Sequence, residues 1–166
     1  MSENQKGERM PIKTRFVHVN IVARDWRKLA EFYQHVFGCT IVPPERDLSG
    51  QWLEDVTGVP GARIQGAHLR LPGLGDDGPT LEIFQYTPQL EGQETASNRP
   101  GFGHIAFAVD DVESARDAVL SAGGKSVGKL VSHINPGIGK LEVVYVTDPE
   151  GNIIELQKWS ALSATQ

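Results

Sequence analysis

Four residues of metal-binding type recur at matching places in the two halves of this chain: His18 with Glu82, and His104 with Glu155. Setting Phe16 to Asp25 over Phe102 to Asp111 brings His18 onto His104 and Asp25 onto Asp111. Further on, Gly38 falls on Gly124, and the offset is 86 residues throughout. Leu81-Glu82-Ile83 matches Ile154-Glu155-Leu156, so each half also carries a Glu flanked by apolar residues in a strand. For one His the plainer reading is a hydrogen-bonded core residue, and for one Glu a solvent-facing side chain. Agreement of all four across the repeat argues for a shared site. An ionised Glu on the buried face of a sheet is costly unless something offsets its charge. Two together repel, so one would have to stay protonated. A divalent cation removes both difficulties, and two neutral imidazoles complete the set. Two nitrogens and two oxygens suit one ion of Ni, Co, Zn, Mn or Fe. Six-fold coordination would leave two positions for a substrate with adjacent oxygens, whose carbonyl the ion would polarise as a Lewis acid. Glu155 or Glu82 could then move a proton on the neighbouring carbon. The expected metal ligands are therefore His18, Glu82, His104 and Glu155, with Glu155 or Glu82 as the group that moves the proton.

The elements that must position these residues read as two copies of one plan. Residues 16–22 are rich in Val and Ile, as in a buried strand. Asp25 suits a helix N-cap, and Trp26, Leu29, Ala30, Tyr33, Val36 and Phe37 follow at helical spacing before Gly38 as a left-handed stop. A strand begins at Thr40 and is expected to end at Pro43-Pro44, and two more fall at 62–71 and 79–86 around the turn-rich Pro72 to Pro79. The second half repeats this: a strand at 102–109, a helix at 112–122 capped by Asp111, and strands near 126–131, 141–147 and 152–158. Asp148-Pro-Glu-Gly151 is a tight turn. Each half is βαβββ, with module 1 at about 14–90, a polar linker at about 89–100 and module 2 at about 101–160. The fold class expected is α+β, two tandem modules in one domain. The first half carries 13 extra residues between its His and its Glu, around Leu48 to Pro60. Trp52, Leu53 and Val56 there suit a short amphipathic helix lying over the mouth of the site, or else a packed surface excursion.

Composition narrows the partners. A chain of 166 residues can bury a core without disulfides. Its net charge of −5 does not point to nucleic acid or an acidic membrane as a partner. No apolar run approaches the roughly 20 residues of a membrane span. Met1 to Lys13 is polar, without the apolar stretch of a signal peptide, and reads with Ser160 to Gln166 as a frayed arm. The single cysteine, Cys39, reads as a small core residue and fits a reducing, cytoplasmic setting.

Other residues bear on the site less directly. His35 reads as solvent-facing, and His68 as structural or surface, although its strand could bring it to the site. Ser132 to Lys140 is Gly-rich and could close over a ligand as a loop, with Lys140 meeting a carboxylate or phosphate. Tyr145 faces the site or packs in the core. Gly139-Lys140-Leu141 lacks the Ser or Thr and the first Gly of a phosphate-binding loop.

The quartet and the paired modules together resemble the vicinal oxygen chelate superfamily, over about residues 14–160. That superfamily contains glyoxalase I, methylmalonyl-CoA epimerase, extradiol dioxygenases and fosfomycin- or bleomycin-resistance proteins. The most specific pieces are His18 with Asp25, Gly103-His104-Ile-Ala-Phe-Ala-Val109, and Asp148-Pro-Glu-Gly-Asn-Ile-Ile-Glu155. The order His, Glu, His, Glu is that of the glyoxalase I ligands. The resemblance implies two tandem βαβββ modules forming a cupped open sheet around a metal site, a homodimer, a small-molecule substrate and a lyase or isomerase reaction. It also leaves departures. Val22 and Tyr86 stand where bacterial glyoxalase I has the Arg and Asn that hold glutathione, leaving Arg63, Arg70, Arg99 or Lys140 as substitutes. Ala62 to Leu71 holds no carboxylate, whereas the epimerase has a second catalytic Glu there. Pro136, Gly137 and Ile138 stand where the extradiol signature has a His. An epimerase, a dioxygenase and a non-catalytic drug-binding protein are the alternative readings.

Overall fold

The computed structural model describes residues 12–162. The polar arms expected at Met1–Lys13 and Ser160–Gln166 lie outside that range except for Ile12, Lys13 and residues 160–162. The first half comprises β1 (His18–Val22), α1 (Trp26–Phe37), β2 (Thr40–Ser49), α2 (Gln51–Thr57), β3 (Arg63–Arg70) and β4 (Thr80–Thr87). Its sheet runs β1-β4-β3-β2, with β1 parallel to β4 and the others antiparallel. The second half comprises β5 (Ile105–Ala108), α3 (Val112–Ser121), β6 (Lys125–Ser126), β7 (Val131–Asn135), β8 (Gly139–Thr147) and β9 (Ile153–Ser160). Its sheet runs β5-β9-β8-β6, with β7 also paired to β8 and β5 parallel to β9. The fold is α+β, with two open sheets and three helices among the described residues.

Local chemistry accounts for the helix ends. Asp25 and Asp111 are extended residues whose side chains accept from the backbone N–H of Lys28 and Ser114, satisfying donors that the first helical turn leaves free. At the other end of α1, Gly38 takes φ 68°, a value an L side chain would resist. The strands alternate. Leu81, Ile83, Ile154 and Leu156 are fully buried on the face that meets the helices, while Glu82 and Glu155 point to the opposite face.

One core serves both halves. Leu29, Tyr33, Ala67, Leu81 and Ile83 cluster with Val119, Val144, Val146, Ile154 and Leu156. Phe37 at the end of α1 stacks on Phe107 of β5 at 4.1 Å between ring centroids. The Tyr33 hydroxyl, buried in α1, donates to Asp148 in the β8–β9 turn at 3.1 Å. Glu150 of that turn accepts from the backbone N–H of Arg24 and Asp25, at 2.6 and 2.9 Å.

Three expectations need correction. The strand from Thr40 does not stop at Pro43-Pro44. It passes through a bulge, with three residues between Val42 and Arg46 set against one on β3, and continues to Ser49. An edge strand tolerates prolines because one row of its N–H groups has no ladder partner to lose. The strand expected near 126–131 is split into the two-residue β6 and the separate β7. Ser132 to Lys140 is therefore not a loop: β7 and the start of β8 pair from Val131↔Val143 to Asn135↔Gly139, leaving a turn at 136–138.

Candidate metal centre

In the first half, strand register gathers the donors. Asn20 of β1 and His68 of β3 lie on either side of Glu82 in direct register. His18 sits two residues before Asn20, on the same face. Glu82 is 8% exposed, a buried carboxylate. Its Oε1 lies 2.9 Å from His68 Nε2, and its Oε2 lies 3.0 Å from the donating Asn20 Nδ2 and 3.6 Å from His18 Nε2. His68 Nδ1 meets the Thr80 hydroxyl at 2.9 Å. Burial holds the His68 pKa below its ordinary value; the Glu82 carboxylate opposes this, and the charges of Arg46 and His18 add to it. A neutral imidazole at neutral pH is the form that binds metal.

The second half is built the same way with different neighbours. His104 stands just before β5, and its Nε2 lies 3.2 Å from Glu155 Oε2. Tyr145 of β8 is the register partner of Glu155, and its ring centroid lies 5.0 Å from that of His104. Tyr145 therefore faces the open side, and its phenol pKa is raised, by burial first and then by Glu155. Ala106 occupies the place across from Glu155 that Asn20 holds across from Glu82, and has nothing to donate. The two carboxylates thus have unequal surroundings.

The structure brings His18 to Glu82 and His104 to Glu155. Among the described residues, His18, His68 and Glu82 form the one group of three whose donor atoms all lie within 4.8 Å of one another. His104 and Glu155 stand outside that group. His18 and His104 are 40% and 35% exposed, so both pairs open outward. A cleft of about 560 Å³ runs between β1 and the segment leading to β5; Asn20 and His104 border it, and neither Glu does. The donors fit a divalent ion: imidazole nitrogens beside a buried carboxylate that no Lys or Arg among the described residues ion-pairs.

The insertion at 48–60 forms α2 on this same face. Its Leu53 is buried against Ala62, Ile64 and Phe84, while Trp52 and Val56 remain exposed. The helix thus forms a wall at one end of the open face. Phe84 can lie flat because its register partner is Gly66, where a Cβ would meet the Ile83 carbonyl and the Phe84 ring.

The four cations considered as glutathione substitutes are all engaged. Arg63 is held by Asp47 at 2.6 Å and Lys140 by Glu142 at 2.8 Å. Arg70 reaches Asp76 at 3.5 Å, and Arg99 donates to the Glu94 carbonyl at 2.9 Å. His35 and His133 are exposed, and neither belongs to the group of three donors. Cys39 is buried, and desolvation pushes its thiol pKa up to about 11. No helix among the described residues is long and apolar enough to cross a membrane.

Known proteins share this fold and sequence pattern. A probable lactoylglutathione lyase of Vibrio cholerae is 27% identical over 147 residues, covering 86% of this chain and 88% of that protein. Glyoxalase 1 of Caenorhabditis elegans is 29% identical over 106 residues, and the match spans only 35% of that longer protein. A glyoxalase family protein from Bacillus cereus superposes with a TM-score of 0.70 at 19% identity, over 92% of this chain and 97% of its own. The sequence profile of the Glyoxalase/Bleomycin resistance protein/Dioxygenase superfamily matches residues 15–156. The chain belongs to that superfamily.

Proposed function

We propose that this chain is a divalent-metal-dependent lyase or isomerase of the glyoxalase type, acting by proton transfer on a small substrate with vicinal oxygens. His18 and Glu82 of one protomer hold the metal together with His104 and Glu155 of a second copy, in a homodimer. The observation that carries this is the buried Glu82 carboxylate facing two imidazoles, with a second His–Glu pair built the same way in the other half. Sharing between protomers is supported by the outward exposure of both His rings and by the separation of His104 and Glu155 from the first donor group. The bound metal, one of Ni, Co, Zn, Mn or Fe, would supply Lewis-acid chemistry that raises the acidity of a C–H beside a substrate carbonyl.

The chain's own residues do the rest. Glu155, whose neighbours can donate less, is the carboxylate freer to take the proton from one carbon and return it to the next. Glu82 is held at both oxygens by Asn20 and His68, which favours a fixed ligand. Metal uptake by the wild type, lost on His104→Ala as well as on Glu82→Ala, is the test.

A second reading rests on the trio itself. Two His and one carboxylate within one chain is the donor set of non-haem Fe²⁺ oxygenases, so His18, His68 and Glu82 would hold iron for a dioxygenase reaction. In that case His68→Ala would abolish metal binding and His104→Ala would not.

A further inference from the structure

On the open face, Arg46 is a cation that no carboxylate among the described residues holds. Arg46 is half-buried on β2, in register with Gly66 and through it with Phe84; His68 and Glu82 lie two residues along on the same face. Its neighbours Glu45 and Asp47 point to the other face, where Arg27 and Arg63 take them at 3.0 and 2.6 Å. The Arg46 guanidinium donates to the Pro44 carbonyl and forms no ion pair among the described residues. Arg70 flanks His68 from the other side but is turned to Asp76. A half-buried guanidinium without a counter-ion keeps a fork of donors shaped for a carboxylate.

We propose that Arg46 anchors an anionic group of the substrate, so that this site takes a compact chelating molecule that itself carries a carboxylate. The inference rests on the metal-site reading above. From Glu82, Arg46 is two strands across and two residues along, on the order of 12 Å between Cα atoms. The Arg side chain covers roughly half of that. What remains is on the order of one aromatic ring, and the ground between is the Phe84 ring laid over Gly66, with the His68 ring beside it. The wall of α2 closes that end with Leu53, which favours a short substrate over a long thiol adduct. Arg46 thus selects by charge, while the vicinal oxygens of the same molecule meet the donor residues.

A matched pair of chelators tests this. Cobalt-loaded protein is titrated with 3,4-dihydroxybenzoate and with 3,4-dihydroxybenzamide, which differ only in charge at the far end, following the cobalt d–d bands. The expected result is a preference of roughly tenfold or more for the benzoate, about 1.4 kcal/mol. Arg46→Gln loses the preference yet keeps cobalt affinity, thermal stability and amide binding. Arg46→Lys keeps part of it, since the charge remains and the fork does not. Equal binding of the two by wild type, binding of neither, or a preference that survives Arg46→Gln overturns the assignment and leaves the metal reading standing. Failure to take up cobalt before any chelator is added overturns both.

Discussion

His68 lies directly across from Glu82 on the neighbouring strand, with its Nε2 2.9 Å from the carboxylate Oε1. Thr80 fixes the other ring nitrogen, so the imidazole is held at both ends. In the proposed quartet His68 orients a ligand and does not replace one. His68→Ala should weaken metal binding by about 10–100-fold without abolishing it, the usual cost of losing a group that orients a ligand. His68→Gln, which can still donate to Glu82, should recover part of the loss. Competition against a chromophoric chelator measures both. Complete loss of metal in His68→Ala would favour the single-chain trio.

Gly66 is required by packing, since a methyl group there would collide with the Ile83 carbonyl and with the Phe84 ring that covers it. Gly66→Ala should destabilise the fold by about 1–3 kcal/mol, the range for overfilling a packed site. Urea denaturation reads the change. An unchanged midpoint would mean that Phe84 does not rest on the β3 backbone.

The caps set an acid dependence. Hydrogen bonds from the first helical turn depress Asp25 and Asp111 below their ordinary 3.8. A carboxylate whose folded-state pKa lies below its unfolded value adds stability above the unfolded value, and loses it as pH falls through the folded one. Asp111→Ala should therefore lower Tm at pH 7, and the gap to wild type should shrink at pH 3. A gap that stays constant across that range would contradict the ionic cap.

Much of this architecture is legible in the sequence because the cues are local. Asp25, Gly38 and Asp111 act within one helical turn, and the repeat of His18 and Glu82 in His104 and Glu155 needs only an aligned count. Prolines mislead at β2, because an edge strand absorbs them in a bulge that no local rule demands. His68 was legible in principle: counting outward from the turn between β3 and β4 pairs it with Glu82, as Tyr145 pairs with Glu155 across the β8–β9 turn. The fate of Arg46, and the commitment of Arg63 and Lys140, depend on which face each side chain takes and on neighbours reached only through the fold.

Cys39 tests the core from another side. A thiol pushed up to about 11 by burial holds little thiolate at pH 8. It should react with a disulfide reagent only as the chain unfolds, and at the full rate in guanidinium. Prompt labelling of the native protein would contradict the burial of Cys39.

Metal content of the purified protein bears most directly on the central claim. Wild type, Glu82→Ala, His104→Ala and His68→Ala are loaded with Ni²⁺, Co²⁺, Zn²⁺, Mn²⁺ or Fe²⁺, desalted and measured by elemental mass spectrometry beside their masses in solution. The account predicts near-stoichiometric metal in a wild-type dimer, loss in Glu82→Ala and His104→Ala, and weakened retention in His68→Ala. Metal retained in His104→Ala, or no metal in wild type with any of the five ions, would contradict it.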